Sequence, residues 1–164
     1  MKQTNILIII MLCSCFVFTG CSVLEKLQEN RRADKSKGEI LESDARQFTF
    51  ENRTYIILNE TVRREDISIW IGVTSNLSFL SKEYEILKTS SIVSYKDYLN
   101  EIKKGIPEET YYIVRFGNIF KLKDKRIVID VEGEFHVAKP SESLSGEDKM
   151  IEIETYISDG ETKT

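Results

Sequence analysis

The middle and C-terminal parts of the chain alternate between hydrophobic and polar residues, which predicts a β-rich domain. Residues 48–50 and 55–58 are rich in strand-forming residues, and a turn-forming Asn lies between them, so these stretches predict a β-hairpin. Residues 67–73 alternate strictly and predict a third strand. We expect the polar stretch 59–66 to form a turn or short helix, and the polar stretch 74–78 to be a link between strands.

Residues 84–93 predict a further strand, and an α-helix is expected to begin after Ser94. Ser94 and Asp97 have the spacing of a capping box, in which each side chain accepts a hydrogen bond from the other residue's backbone N–H. The apolar residues of the helix fall on one stripe; they are Tyr95, Tyr98, Leu99 and Ile102. Gly105 provides a left-handed cap, and a proline two residues later prevents continuation. We expect this helix to pack on a sheet.

The second half of the domain predicts mainly strands. Residues 110–121 predict a long strand with a bulge or tight bend at Gly117 and Asn118. Residues 151–157 predict a last strand whose isoleucines alternate with acidic residues. The predicted fold class is therefore α+β, mainly an antiparallel β-sheet meander of about six to eight strands with at least one packed helix.

Residues 127–131 and 135–138 predict a second hairpin, for which two loop lengths are open. A three-residue loop keeps the apolar residues of both strands on one face, whereas a two-residue loop turns those of the second strand to the opposite face. Because register follows the buried face, the pattern favours the three-residue loop. That loop places His136 opposite Asp130.

The N-terminal residues predict a bacterial lipoprotein signal. Lys2 precedes an apolar run at 6–18, and the small residue Gly20 comes directly before Cys21. In such a signal the thiol of the cysteine is alkylated by a diacylglyceryl group, and cleavage makes that cysteine the new N-terminus. Cys21 is therefore the predicted lipid attachment site. A competing lipoprotein motif at 12–15 would leave a shorter apolar core before its cysteine. An uncleaved transmembrane helix would need about twenty apolar residues, more than the run at 6–18 provides.

These features divide the chain into four predicted segments: a signal peptide at 1–20, the lipidated Cys21 with a flexible tether at 21–47, a β-rich domain at 48–158 and a frayed tail at 159–164. The tether contains a cluster of basic residues that can contact anionic lipid, at about 1 kcal/mol for each residue near the surface. These predicted membrane-contact residues are Arg31, Arg32, Lys35 and Lys37. A solvated linker of mixed charge is the alternative interpretation.

The composition argues against several classes of function. The chain has 23 basic and 27 acidic residues with a net charge of −4 and no clustered basic face, so nucleic-acid binding is not expected. All three cysteines lie in or at the end of the signal, which leaves the domain without a disulfide or a thiolate site. The single histidine, His136, has no nucleophile signature beside it, and no metal-ligand spacing or phosphate loop occurs. The sequence therefore predicts no enzyme, no metal and no cofactor.

The C-terminal part of the chain is acidic. Its carboxylates form an anionic zone that can concentrate cationic peptides by electrostatic steering. The candidate peptide-binding residues are Glu147, Asp148, Glu152 and Glu154. The alternative interpretation is that an acidic end aids solubility.

Four stretches of the domain resemble lantibiotic immunity lipoproteins of the nisin and subtilin type. They are FTFENRTYII from Phe48, NETVRREDI from Asn59, VRFGNIFK from Val114 and IDVEGEF from Ile129. The resemblance spans about residues 48–140 together with the lipoprotein signal, and the length is similar to that of the one-domain, subtilin-type members.

The resemblance implies a function in self-protection. A cell that produces a cationic lantibiotic peptide displays such a lipoprotein on the outer face of its cytoplasmic membrane, as expected for a Gram-positive bacterium. There the lipoprotein intercepts the peptide before pores form at lipid II, and an immunity transporter usually works beside it. The only site residue that the resemblance transfers is the lipidated Cys21.

Two other classes of function fit the anchor, the tether and a β-rich domain. A generic surface lipoprotein, such as a solute-capturing protein or an assembly scaffold, would show no selectivity for a lantibiotic. An inhibitor of an extracellular hydrolase would bind a folded enzyme instead of a short peptide.

Overall fold

The structure is a computed structural model, and it describes residues 34–153. The predicted signal peptide, Cys21, Arg31, Arg32, Glu154 and the predicted tail at 159–164 lie outside the described residues. Within the described part, no helix has the length and apolar character that are needed to cross a membrane.

The described residues form nine strands and one α-helix. The strands are β1 Ser36–Lys37, β2 Glu39–Ile40, β3 Gln47–Phe50, β4 Arg53–Val62, β5 Ile67–Leu80, β6 Ile86–Ser91, β7 Tyr112–Leu122, β8 Ile127–Val131 and β9 Glu134–Pro140. The helix α1 is Tyr95–Lys103, and single 3-10 turns occur at Arg64–Asp66 and Ser141–Ser143. The strand order is β1-β5-β7-β8-β9-β4-β3-β2, and β6 pairs with β5 beside β1.

The two ends of this sheet are joined by one short stretch of chain. β1 pairs with β5 in parallel, and β2 pairs with β3 in antiparallel orientation. Gly38 lies between these two strands, and its N–H donates to the carbonyl of Val73 at 2.8 Å. A Cβ at this position would stand 2.6 Å from Cδ1 of Ile119, so only glycine fits without displacing a neighbour. The sheet is consequently a nearly closed barrel.

The predicted α+β class with an antiparallel meander is wrong. The described part of the chain is mostly strand, and its sheet is mixed because the pairing of β1 with β5 is parallel. The two strands that close the barrel have two residues each, too few to show an alternating pattern. They also lie within 36–40, a stretch that the sequence assigned to the tether.

The first predicted hairpin is confirmed. β3 and β4 pair around Glu51 and Asn52, whose φ angles of 48° and 62° are those of a type I′ turn. The predicted link at 74–78 is wrong, because β5 continues through it to Leu80. A register shift between Val73 and Asn76 accommodates these polar residues within the strand.

The second hairpin has the loop length that the sequence disfavoured. Val131 pairs with Glu134, so the loop is the two-residue turn Glu132-Gly133, with φ angles of 52° and 93°. As a result Val137 points away from the face of Ile129. The prediction fails because the hairpin is buried on both faces, and alternation then does not determine register.

Two apolar clusters flank this hairpin. The first lies inside the barrel and includes Phe48, Phe116, Ile119 and Ile129, all fully buried. The second lies on the opposite face of β8 and β9, with Ile56, Leu58, Leu122, Val128 and Val137. Each face of the hairpin therefore contributes to a separate core.

The predicted helix is present as α1, and its capping box is confirmed. Oγ of Ser94 accepts a hydrogen bond from the N–H of Asp97, whose carboxylate accepts one from the N–H of Ser94. Tyr98 and Ile102 pack against a third apolar cluster on the sheet, formed by Leu77, Phe79 and Ile92. α1 thus covers the outside of β5 and lies away from the second hairpin.

Candidate functional site

A cleft of about 480 Å³ opens beside the turn between β8 and β9. We call it the acidic cleft. Its apolar lining consists of Val114, Val131, Ile151 and Ile153, and its carboxylates belong to Glu132, Glu134 and Glu152. Asn59, Thr61 and His136 complete the lining. Apart from His136, no basic residue lines the cleft in the described part of the chain.

The apolar wall of the acidic cleft comes partly from the segment that follows Met150. Met150 forms an isolated antiparallel bridge with Leu58, and the N–H of Ile151 donates to the carbonyl of Ile57 at 2.9 Å. Ile151 and Ile153 are only 3% and 4% exposed, whereas Glu152 between them is exposed. The predicted alternation holds for these three residues, but the predicted strand at 151–157 is wrong for them, because the bridge lies at Met150 and they form no strand. Residues 154–157 lie outside the described residues.

The polar wall of the acidic cleft results from a bulge in β4. The pairing of β4 with β9 shifts register between Ile57 and Thr61, and Thr61 then lies opposite His136. The imidazole of His136 is 7% exposed, and its Nδ1 lies 3.1 Å from the carbonyl oxygen of Leu58.

His136 does not lie opposite Asp130, as the three-residue loop required. It pairs with Ile129, which places its ring on the inner face of the hairpin. The two-residue turn is the reason, because it moves each residue of β9 to the other face.

The carboxylates of the turn are held by its backbone. The carboxylate of Glu132 folds back and accepts a hydrogen bond from the N–H of Arg115. Oδ1 of Asp130 accepts one from the N–H of Gly133 at 2.8 Å. Burial of each carboxyl group raises the pKa of Glu132 and of Asp130, and these hydrogen bonds and the nearby Arg115 guanidinium oppose that effect. Glu134 and Glu152 are exposed and face solvent at the rim.

The four carboxylates predicted from the sequence do not form one site. Glu152 lines the acidic cleft, and Glu147 is exposed in the preceding loop. Asp148 is already paired, because its carboxylate accepts hydrogen bonds from Nζ of Lys139 at 2.6 Å and from the N–H of Ser145 at 2.8 Å. The hydrogen bond from Lys139 is the largest of the effects that lower the pKa of Asp148 to about 2. Asp148 therefore orders its loop and offers no free charge to a ligand.

Of the predicted membrane-contact residues, Lys35 and Lys37 are described. Lys37 is exposed in β1 and borders a second cavity of about 650 Å³ near the turn between β3 and β4. β4 and β9 are antiparallel, with Tyr55 opposite Pro140 and Val62 opposite Phe135. The second cavity and the acidic cleft therefore lie at opposite ends of this strand pair.

Sequence reasoning missed Glu132, Glu134 and His136 as cleft residues. The signal that could have found them is the Glu-Gly-Glu sequence around Gly133, since Gly at the second position of a two-residue loop favours a type I′ turn. That turn carries both carboxylates to one end of the barrel. In the described residues, no group of three or more His, Cys, Asp or Glu side chains could hold a metal ion.

Comparison with known proteins gives a family match. The family described as "Lantibiotic immunity protein Spa1 C-terminal domain" matches residues 40–138. No curated protein sequence matches the chain.

Two solved structures are similar in fold. The N-terminal domain of NisI, a lipoprotein from Lactococcus lactis that confers immunity against nisin, has a TM-score of 0.52 at 13% identity, covering 73% of this chain and 94% of that domain. Full-length lipid-free NisI has a TM-score of 0.50 at 15% identity, covering 69% of this chain and 48% of NisI. The chain thus spans about half the length of NisI, and identities this low support the fold alone.

Proposed function

The chain belongs to the Spa1 C-terminal domain family of lantibiotic immunity proteins, and from this premise we propose that it captures a cationic lantibiotic at the membrane surface in the acidic cleft. The observation that carries the proposal is the pairing of an apolar wall with an acidic rim in one cleft. Lantibiotics of this type are cationic and amphipathic. Their positive charges would face the three glutamates, and their apolar residues would contact the small exposed parts of Val131, Ile151 and Ile153, which are 3–5% exposed.

Electrostatic attraction supports this assignment. Glu134 and Glu152 are exposed at the rim, and among the described residues no lysine or arginine lines the cleft. A cleft of one sign of charge with apolar walls raises the local concentration of an oppositely charged ligand. Of the carboxylates proposed from the sequence, Glu152 takes this role, because it lines the cleft.

We further propose that the protein is anchored through a lipidated Cys21 on the outer face of the cytoplasmic membrane of a Gram-positive bacterium. In this proposal, residues 1–20 are removed as a signal peptide, and the tether that follows Cys21 is shorter than 21–47. Two acyl chains would hold the protein stably, at about 0.8 kcal/mol for each buried CH₂ group. Arg31, Arg32, Lys35 and Lys37 would contact anionic lipid, and an immunity transporter would remove the captured peptide.

The proposal is tested in a lantibiotic-sensitive Gram-positive host. Cells that express the chain are challenged with nisin, subtilin and an unrelated cationic pore former, and the inhibitory concentrations are compared with those for Cys21→Ala at equal protein level. We expect selective protection against a lantibiotic, which the loss of the anchor abolishes. Equal protection by Cys21→Ala would contradict the anchoring step.

The role of the acidic cleft is tested by a charge-matched pair of triple variants. Glu132, Glu134 and Glu152 are changed to Gln in one variant, and the exposed residues Glu42, Glu85 and Glu108 are changed to Gln in the other. Both variants lose three negative charges, but only the first removes them from the cleft. We expect the first to lose most of the protection and the second to retain it. Equal loss in both would show that net charge alone matters and would exclude the cleft.

A further inference from the structure

The tautomer of His136 is determined by its neighbour inside the barrel. The imidazole is 7% exposed, and Nδ1 lies 3.1 Å from the carbonyl oxygen of Leu58. A carbonyl oxygen can only accept a hydrogen bond, so Nδ1 must carry the proton for this contact to form. In the neutral ring, Nε2 then has a lone pair and acts as an acceptor.

Nε2 lies beside a second acceptor on the same face of β9. Oε2 of Glu134 is 3.6 Å from Nε2, beyond the usual range of a hydrogen bond. While the ring is neutral, the lone pair on Nε2 and the carboxylate oxygen cannot bond to each other. The pair is completed either by a proton on Nε2 or by an N–H group of a ligand that reaches both atoms. The side chain of Glu134 is 73% exposed and can adjust its position, whereas the ring of His136 is held by burial.

The remaining polar groups of the cleft point to the kind of donor. Asn59 and Thr61 also line the cleft, and their side chains carry oxygen acceptors. A primary ammonium group has three N–H donors on one compact centre, which suits several acceptors that converge from different sides. The guanidinium of arginine is planar and binds best to a carboxylate in a two-pronged geometry, which one ring nitrogen cannot supply.

We propose that the base of the acidic cleft is a binding site for a primary ammonium group, with His136 Nε2 and the Glu134 carboxylate as its acceptors. This inference rests on the proposed capture of a cationic lantibiotic and names the part of the peptide that is recognised. Both a lysine side chain and the N-terminal amine of the peptide have this chemistry. His136 then determines specificity for an ammonium group. Glu132 and Glu152 attract any positive charge and do not distinguish an ammonium group from a guanidinium group.

The ring itself provides the first test, because the chain contains one histidine and its signals cannot be confused with others. The full chain, labelled with ¹⁵N in histidine and held in detergent micelles, is titrated with n-butylammonium and, separately, with tetramethylammonium. The two cations carry the same charge, but only the first has N–H donors. We expect the neutral ring to be the Nδ1–H tautomer and its Nε2 signal to shift with n-butylammonium alone. An Nε2–H tautomer, or an equal shift with both cations, would overturn the proposal.

The source of the ammonium group is tested with modified nisin. One form is acetylated only at its N-terminus and another only at its lysines, and a third form carries both modifications. If the site binds the N-terminal amine, the form acetylated at its N-terminus should leave the Nε2 signal unshifted; if it binds a lysine, the form acetylated at its lysines should do so. A shift that survives acetylation of every amine would overturn the proposal.

A substitution separates recognition from folding. In His136→Asn the amide nitrogen replaces Nδ1–H and can still donate to Leu58, but the acceptor at Nε2 is lost. We expect an unchanged unfolding midpoint and about a tenfold loss in affinity for the lantibiotic against which the wild type protects, the size of one charge-assisted hydrogen bond. In His136→Phe both nitrogens are lost, and the unfolding midpoint should fall as well.

The outcomes distinguish this inference from the proposed function. If His136→Asn retains full affinity while the triple glutamine variant loses it, the ammonium site is wrong and capture in the cleft stands. If the triple glutamine variant also retains affinity, capture in the cleft is wrong. The tautomer of the ring is measured independently of either result.

Discussion

At the scale of single residues, the structure separates carboxylates that are free from carboxylates that are already bonded. Glu152 and Asp148 lie four positions apart in one acidic stretch, and the sequence treats them alike. The carboxylate of Asp148 accepts hydrogen bonds from Nζ of Lys139 and from the N–H of Ser145, whereas Glu152 lines the acidic cleft. A carboxylate keeps its charge for a ligand only if no basic side chain of the fold is paired with it, and that property depends on residues distant in sequence.

The bonded state of Asp148 predicts its effect on acid stability. Its pKa in the folded chain is lowered to about 2, chiefly by the hydrogen bond from Lys139, and it lies below that of an unfolded aspartate, about 3.9. The contribution to stability is therefore complete above the unfolded value and is lost as the pH falls toward about 2. We expect Asp148→Asn to be less stable than the wild type at neutral pH, and this difference to shrink between about pH 4 and pH 2.

Urea unfolding of both proteins across this pH range measures the effect. Glu147→Gln is the control, because Glu147 is exposed in the same loop. A difference between Asp148→Asn and the wild type that stays constant down to pH 2 would contradict the prediction.

At the scale of elements, the length of the turn between β8 and β9 determines which residues of the second hairpin face the acidic cleft. Because the turn has two residues instead of three, His136 lies on the inner face of the hairpin, and Phe135 and Val137 lie on its outer face. The same turn carries the carboxylates of Glu132 and Glu134 to the mouth of the barrel. The element that forms the binding cleft is thus the one whose register the hydrophobic pattern predicted wrongly.

The left-handed conformation of Gly133 gives a test at this scale. Its φ of 93° disfavours residues with a side chain, so Gly133→Val should cost about 1–2 kcal/mol of stability and displace the adjoining glutamates. We expect a loss of lantibiotic affinity in this variant. Gly105→Val is the matched control, since Gly105 has a φ of 102° and lies at the end of α1. It should lose similar stability and keep its affinity; comparable binding losses in both variants would show that strain, and not the turn, is responsible.

At the scale of the whole molecule, the barrel is closed by the stretch Ser36–Ile40. β1 and β2 are consecutive in the chain, yet they pair with the two opposite ends of the sheet. In addition to its core, the domain therefore depends on a segment that the sequence assigned to the tether.

Gly38 provides the test of closure. In Gly38→Ala the new methyl group would stand 2.6 Å from Ile119 and 3.2 Å from Thr74, so the variant should lose about 1–3 kcal/mol of stability. Gly146→Ala is the control, because nothing lies within 4 Å of a Cβ at that position. The free energy of unfolding in denaturant distinguishes the two. If both variants match the wild type, the closing stretch does not contribute to the stability of the barrel.

The parts of the fold that the sequence predicted correctly depend on interactions between near neighbours. The capping box of Ser94 and Asp97 and the turn at Glu51-Asn52 both follow from residues within a few positions of each other. The bulge at Gly117-Asn118 is also confirmed, as a register shift between Phe116 and Ile119. Of the residues in the candidate site, the sequence predicted only Glu152. The other polar residues of the site come from strands whose register depends on the packing of two separate cores.

The sequence by itself determined most of the longer strands, the capped helix, the pattern of a lipoprotein signal and the stretches typical of the immunity family, because each depends on the order of residues within a short window. Only the tertiary structure decided that the sheet closes and that the turn of the second hairpin has two residues. It also decided that Glu132, Glu134, His136 and Glu152 share one cleft. These features depend on contacts between residues far apart in the chain, and local alternation cannot specify them when a strand is buried on both faces.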